Sequence, residues 1–291
     1  MDLIYRYDPF QPLGSAAIAD ADAALSTLRE GNERFADIVR RMQERTLGGA
    51  AGEPLVIPVC PVSLGLPIAP GVAAQQAPFG LVVGCSDARV PTEAIFDLSF
   101  NDLFVVRIAG NVLGTECVGS IDYAVRHLGE SLKVAVVLGH SGCGAVTAAV
   151  AGYETPAEYI DIAPTHALRS LVDRIQIAAR GAAKALRDAA GVHVADHPGY
   201  RHALIEVAVY LNAALTAYDL LREIEGVGGG HALPVVFGVC DLGDLRVRAC
   251  PAAPPTAGTP PPATFANAPR SAEDFIALSA QVAERVVHCG L

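Results

Sequence analysis

Four short apolar runs constrain the fold of this chain more than any other feature of its sequence. They are rich in β-branched residues and lack polar–apolar alternation: LVVG (81–84), LFVVRI (103–108), VAVVLG (134–139) and VVFGV (235–239). Such runs are typical of strands buried on both faces of a parallel sheet. Apolar spacing in VGSIDYAVRHLG (118–129) predicts a helix between the second and third strands, which gives a βαβ crossover. We therefore expect an α/β fold with a mainly parallel central sheet flanked by helices.

Helical patterns surround these strands in the sequence. Amphipathic or strongly apolar spacing predicts an N-terminal helical arm and three later helices, at 20–37, 166–190, 201–225 and about 271–287. A hairpin is expected over 237–249, where a second apolar segment follows the fourth strand after a short polar turn.

These elements predict one domain with extensions. Residues 1–250 form the expected single domain, with an irregular insertion at about 41–75 and an extra helical segment at about 151–200. The remainder, 251–291, is expected to be a Pro-rich linker followed by the C-terminal helix.

Composition and charge limit the classes of protein to which this chain can belong. The 291 residues are 52% hydrophobic and 18% charged, which is typical of a globular chain. We find no charge-free apolar stretch of about eighteen residues, and the first ten residues carry charges, so we expect neither a membrane span nor a signal peptide. The net charge of -10 argues against binding nucleic acid or an anionic membrane surface. A cytoplasmic location is the resulting expectation.

Two cysteines and a histidine follow predicted strands. Cys85 comes after the first strand, and His140 and Cys143 follow the third in a single H-x-x-C loop. Ligands bind at the carboxyl ends of strands in open α/β sheets, and a Cys₂His set leaves a fourth zinc position for water, as in catalytic sites. The set requires the first and third strands to be neighbours. The alternative is two buried thiols and a loop histidine with ordinary hydrogen bonds.

Asp87 and Arg89 stand beside Cys85 in the sequence CSDAR (85–89). A carboxylate there would accept a hydrogen bond from water on the metal, and the guanidinium would hold it ionised. A structural ion pair that caps the following turn is the other interpretation.

Longer motifs resemble the β-class carbonic anhydrases. They are CSDARVPTEAIFDLSFNDLFVVRIAGN (85–111), SIDYAVRHL (120–128) and GHSGCGAV (139–146), with GNERF (31–35) in the first helix. The resemblance implies a β-carbonic anhydrase-like fold and zinc-dependent reversible hydration of carbon dioxide to bicarbonate and a proton by zinc-bound hydroxide. It also implies a homodimer or higher homo-oligomer with active sites at the subunit interface.

The family pattern assigns roles to individual residues. It implies one Zn²⁺ per chain held by Cys85, His140 and Cys143, with Asp87 and Arg89 as the catalytic dyad. Substrate-binding residues of the plant-like subgroup match Gln76, Phe104 and Tyr123.

The sequence also departs from the family pattern. Val82 stands where another subgroup has the tryptophan of an inhibitory bicarbonate site, although Arg107 matches the arginine of that site. Ile108 replaces a usual asparagine near the pocket.

Three other functions stay open. The same scaffold would suit a hydrolase of carbonyl sulfide or carbon disulfide, to which Ile108 is the one pointer. An inactive zinc-binding interaction protein and a thiol-nucleophile enzyme built on Cys85 or Cys143 are the others.

Overall fold

The computed structural model describes residues 3–7, 18–48, 55–59, 71, 75–227, 233–252 and 262–290. Parts of the expected insertion at 41–75, and most of the Pro-rich stretch that opens 251–291, lie outside these residues. The described helices are α1 (Ala21–Gly48), α2 (Thr92–Ile95), α3 (Thr115–Leu128), α4 (Gly144–Glu154), α5 (Tyr159–Ile162), α6 (His166–Ala190), α7 (Tyr200–Val227) and α8 (Ala272–His288). The described strands are β1 (Leu3–Tyr7), β2 (Leu55–Val59), β3 (Gly80–Gly84), β4 (Leu103–Arg107), β5 (Val134–His140), β6 (Val235–Cys240), β7 (Val247–Arg248) and β8 (Ala266–Asn267).

The main sheet has the order β4-β3-β5-β6-β7, with β8 also paired to β6. The pairs among β3, β4, β5 and β6 are parallel, whereas β7 and β8 pair with β6 in the antiparallel sense. The expected α/β fold, its four apolar strands and its hairpin are therefore confirmed. Gly84 lies opposite Leu138 on β5, so the first and third predicted strands are neighbours.

Helices cover both faces of this sheet. Alternate strand residues point to opposite faces. Leu81 and Val83 face the larger core, which includes α6, α7 and α8. Val82 faces the smaller core, in which Ala24 and Leu28 of α1 are buried. Burial on both faces explains why the strand sequences lack alternation.

Helix α7 is long and apolar enough to cross a membrane, with a mean hydropathy of 1.4 over its most apolar segment, yet 72% of that segment is buried in the protein. Fifteen of its residues, from Ala203 to Ile224, are buried. A helix that is apolar around most of its circumference is expected in the core of an α/β domain.

Three expectations need correction. Helix α1 continues to Gly48, well beyond the predicted end at residue 37, because residues 38–48 are mostly good helix formers. The segment expected to be irregular contains β2, which pairs in parallel with β1. The C-terminal helix was expected to follow a linker outside the domain, but Val282, Ala283 and Val286 of α8 belong to the larger core.

Candidate metal centre

Three side chains converge at the carboxyl ends of β3 and β5. Cys85 directly follows β3, His140 is the last residue of β5, and Cys143 immediately precedes α4. Their Sγ and ring nitrogen atoms all lie within 4.8 Å of one another, and all three residues are buried. Parallel strands that are neighbours end at the same edge of the sheet, which is why residues more than fifty positions apart meet here.

A tight turn brings Cys143 back towards His140. Gly142 has φ +62°, a left-handed conformation that glycine adopts at little cost. Cys143 then occupies the N-cap position of α4, with φ -64° and ψ 121°. Backbone N–H groups of Ala145 and Val146 are directed at its sulfur. The first turn of α4 therefore favours a negatively charged sulfur at this position.

One ring nitrogen of His140 is fixed and the other is left for a ligand. Nδ1 lies 3.0 Å from the carbonyl oxygen of Ser141, which can only accept, so Nδ1 carries the proton of the neutral ring. Nε2 is buried and has no hydrogen-bond partner among the described residues. An orphaned ring nitrogen beside two sulfur atoms fits a bound cation, since metal-ligating histidines are commonly oriented by a hydrogen bond at their other nitrogen.

The two thiols are electrostatically coupled. A hydrogen bond from Cys143, with smaller contributions from His140 and the backbone of Asp87 and Gly110, lowers the pKa of Cys85 to about 4 despite burial. The hydrogen bond to Cys85 and burial raise the pKa of Cys143, because a second thiolate would be forced against the first. A divalent cation would relieve this repulsion. The donor set of two sulfurs and one imidazole nitrogen fits zinc.

Asp87 and Arg89 form a bidentate pair beside the three ligands. Arg89 donates from Nε to Oδ1 at 2.9 Å and from Nη2 to Oδ2 at 2.7 Å. The backbone N–H of Arg89 also donates to Oδ1 at 2.9 Å, so the carboxylate stabilises the turn as well. The Arg89 hydrogen bonds hold the pKa of Asp87 well below its usual range. Oδ2 lies 3.8 Å from Nε2 of His140, so the pair lies beside the candidate ligands as well as stabilising the turn, and its catalytic role stays a prediction.

Arg107, which the resemblance matched only to the arginine of an inhibitory bicarbonate site, makes two contacts that the sequence did not reveal. Its Nε donates to the carbonyl of Cys85 at 2.9 Å and its Nη2 to the carbonyl of Asp87 at 2.5 Å. Arg107 lies opposite Gly84 at the end of the neighbouring strand β4, and that register is the signal that could have identified it. The guanidinium thus fixes the backbone of the segment that carries the first ligand and the dyad.

The three predicted substrate residues are spread over different elements. Gln76 is exposed ahead of β3, and Phe104 is half-buried in β4 against the larger core. Tyr123 of α3 is 50% exposed, and its ring lies 4.7 Å from that of His127. No hydrogen bond or ring contact within the described residues joins them to the metal ligands, so their assignment stays a prediction.

Comparisons with known proteins find carbonic anhydrases over the part of the chain that contains this site. Residues 80–220 match the family model described as carbonic anhydrase. Carbonic anhydrase 2 of Mycobacterium tuberculosis is 41% identical over 129 residues, which cover 44% of this chain and 52% of that protein. The carbonic anhydrase of Mycolicibacterium smegmatis is 35% identical over 153 residues, covering 53% and 62%. The chain thus spans about half to three-fifths of these curated relatives.

Among solved structures, a tetrameric β-carbonic anhydrase of Sordaria macrospora is similar, with 24% identity and a TM-score of 0.47. The overlap covers 60% of this chain and 81% of that one.

Proposed function

We propose that this protein is a zinc-dependent β-class carbonic anhydrase that reversibly hydrates carbon dioxide to bicarbonate and a proton. One observation carries the proposal: Cys85, His140 and Cys143 meet within 4.8 Å at the ends of adjacent strands, with Asp87 3.8 Å from the orphaned His140 nitrogen. The family match over residues 80–220 and the curated carbonic anhydrase relatives support it.

Cys85, His140 and Cys143 would hold one zinc ion per chain and leave a fourth position for water. When bound, zinc supplies the nucleophile by making that water acidic enough to ionise near neutral pH. The two cysteine sulfurs reduce the charge at the site, and the Ser141 carbonyl keeps the histidine ring in the orientation that presents Nε2.

Asp87 would orient the attacking water. Since its pKa is held well below the usual range, the carboxylate is ionised throughout the neutral range and can only accept hydrogen bonds. Arg89 donates hydrogen bonds to both carboxylate oxygens. This pairing would keep Asp87 from moving onto the cluster of Cys85, His140 and Cys143. If a proton of this water donates to Asp87, a lone pair on the water oxygen stays free to attack carbon dioxide.

We further propose that the substrate pocket is completed by a second copy of the chain, in a homodimer or higher homo-oligomer. Gln76 and Tyr123 are exposed in the single chain, as residues that contribute to a neighbour's pocket would be. Gln76, together with Val82 in place of a tryptophan, favours the plant-like subgroup. The net charge of -10 argues against nucleic-acid and anionic-membrane partners. We also propose a cytoplasmic location, as expected from the sequence pattern.

Stopped-flow hydration of carbon dioxide by protein assayed for zinc tests the proposal. Measurements from about pH 6.5 to about pH 9 would span the pKa of about 7 reached by water on catalytic zinc. We expect activity at neutral pH, and a loss of about 100-fold in Asp87→Asn with zinc content unchanged, since positioned acid–base groups contribute on this scale.

A protein with one zinc per chain and no carbon dioxide hydration at any of these pH values would overturn the proposal. Turnover of carbonyl sulfide or carbon disulfide by that protein would then identify the sulfur-gas hydrolase alternative.

A further inference from the structure

A strained loop lies directly behind the metal ligands. Gly110 and Asn111, which follow β4, both have left-handed backbones, with φ of +71° and +47°. Glycine adopts this conformation at little cost, whereas a non-glycine residue such as Asn111 adopts it rarely and keeps it where the surroundings hold it. The backbone N–H of Gly110 donates to Sγ of Cys85 at 3.4 Å. The loop conformation thus aims an N–H group at a metal ligand.

Packing leaves no freedom at this glycine. A Cβ on Gly110 would lie 2.7 Å from Cδ1 of Ile175 and 3.0 Å from Cβ of Ala145. Side chains of α6 and α4 therefore pack closely against this glycine. Packing of this kind excludes other conformations but does not by itself turn the N–H towards the sulfur.

Asn212 supplies a directional contact to the same loop. It lies in the middle of α7 and is only 3% exposed among apolar neighbours. Its Nδ2 donates to the carbonyl oxygen of Gly110 at 2.8 Å, across a separation of 102 residues in sequence. A buried amide is costly without a partner, so this hydrogen bond accounts for an asparagine at a position where α7 otherwise needs an apolar side chain.

We propose that Asn212 is a positioning residue of the metal centre. By holding the Gly110 carbonyl, it fixes the loop so that the Gly110 N–H donates to Cys85 and presents the sulfur to the cation in one orientation. This inference rests on the proposed zinc site and not on the carbon dioxide reaction. Groups that orient metal ligands through hydrogen bonds commonly change metal affinity about 10–100-fold when they are replaced.

Two replacements of Asn212 remove the donor in different ways. Asn212→Leu substitutes an apolar side chain of similar size, and Asn212→Ala removes the amide altogether. Thr216→Val is the matched control, since Thr216 is a second buried polar residue one turn along α7. For each protein, zinc affinity would be measured by chelator competition, and the thiolate-to-cobalt absorption bands would be recorded after replacement of zinc by Co²⁺. Thermal unfolding of the metal-free proteins reports general damage to α7.

Both Asn212 variants should bind zinc about 10–100-fold more weakly than the wild type, with shifted cobalt bands, while Thr216→Val retains both properties. A folded Asn212 variant with wild-type zinc affinity and an unchanged cobalt spectrum would overturn the inference, even if its metal-free form unfolds at a lower temperature. These readouts need no carbon dioxide assay. A wild-type protein that binds zinc but is inactive would therefore contradict the proposed function and leave this test valid.

Discussion

At the scale of single residues, the Asp87–Arg89 pair links electrostatics to the proposed chemistry. Both oxygens of Asp87 accept from Arg89, and one of them also lies 3.8 Å from the ring of His140. Arg89 itself is 62% exposed, so the pair adds little to stability and its importance lies in orientation. The main chain around the pair is held separately by Arg107.

Replacing Arg89 with Gln should therefore affect activity more than stability. Without the guanidinium, the pKa of Asp87 moves back up towards its ordinary range, so protonation of this carboxylate begins at a higher pH. The carboxylate stays ionised at neutral pH even then, so the acid limb of the kcat/KM profile for carbon dioxide should stay in place while the rate falls because Asp87 is no longer held in one orientation. Activity near neutral pH should fall about 10–100-fold, as expected for loss of a positioned acid–base group.

Arg180→Gln is the control for this experiment, because Arg180 is exposed on α6. An Arg89→Gln protein with a wild-type rate would show that the pair only stabilises the turn.

At the scale of elements, the sequence predicted whatever has a local pattern. The apolar runs at 81–84 and 134–139 identified β3 and β5, and the residues after them formed the Cys₂His cluster, because strand neighbours end at a common edge. Helix α6 begins and ends where its amphipathic pattern does. By contrast, β8 is two residues long, and it exists because β6 offers an open edge.

Contacts between distant segments left no such pattern. Asn212 in an apolar helix and Arg107 at a strand end each bond to a backbone carbonyl. Every residue has a backbone carbonyl, so the sequence does not indicate which carbonyl accepts these hydrogen bonds. The cluster of Cys85, His140 and Cys143 could be predicted because its side-chain types are distinctive, whereas the contacts of Asn212 and Arg107 could not.

Helix α7 also contains a half-buried carboxylate that should make stability depend on pH. Partial burial raises the pKa of Glu206 above its ordinary value of 4.5, with Asp241 adding to the rise and His202 opposing it. The folded state therefore binds a proton more tightly than the unfolded state does. Stability is lost as the pH rises from about 4.5 through the folded-state pKa.

Glu206→Gln should remove this penalty. We expect its Tm to exceed that of the wild type by roughly 2–4 °C at about pH 8, which corresponds to about 1 kcal/mol for a chain of this size. The difference should shrink as the pH is lowered towards the unfolded-state pKa. Glu223→Gln, an exposed change on the same helix, is the control. A Glu206→Gln protein whose gain in Tm over the wild type is no larger at high pH than at low pH would contradict the assignment.

At the scale of the whole molecule, the ligand cluster joins segments that are distant in sequence. Cys85 follows β3, His140 ends β5 and Cys143 immediately precedes α4, and both cysteines belong to the larger core. A cation bound there would cross-link the centre of the sheet to its covering helices. Because the unfolded chain does not preform this cluster, metal binding adds to the free energy of unfolding.

Removal of zinc should therefore lower the thermal stability of the whole protein. At a free zinc concentration about 1,000 times the dissociation constant, linkage predicts about 4 kcal/mol of stabilisation. For a chain of this size that corresponds to a rise in Tm on the order of 10 °C. Calorimetry of chelator-treated protein, with zinc added back in steps, measures the effect.

Two serine substitutions test whether the zinc that raises the Tm binds at the proposed cluster. Cys143→Ser should abolish most of the zinc-dependent rise in Tm, because it removes a ligand. Cys117→Ser is matched to it, since Cys117 is also buried but lies in α3 outside the cluster. It should lower the Tm of the metal-free protein while leaving the rise on zinc addition intact. An equal rise in Tm on zinc addition in both variants would show that the stabilising zinc binds elsewhere in the chain. That result would contradict the proposed active site.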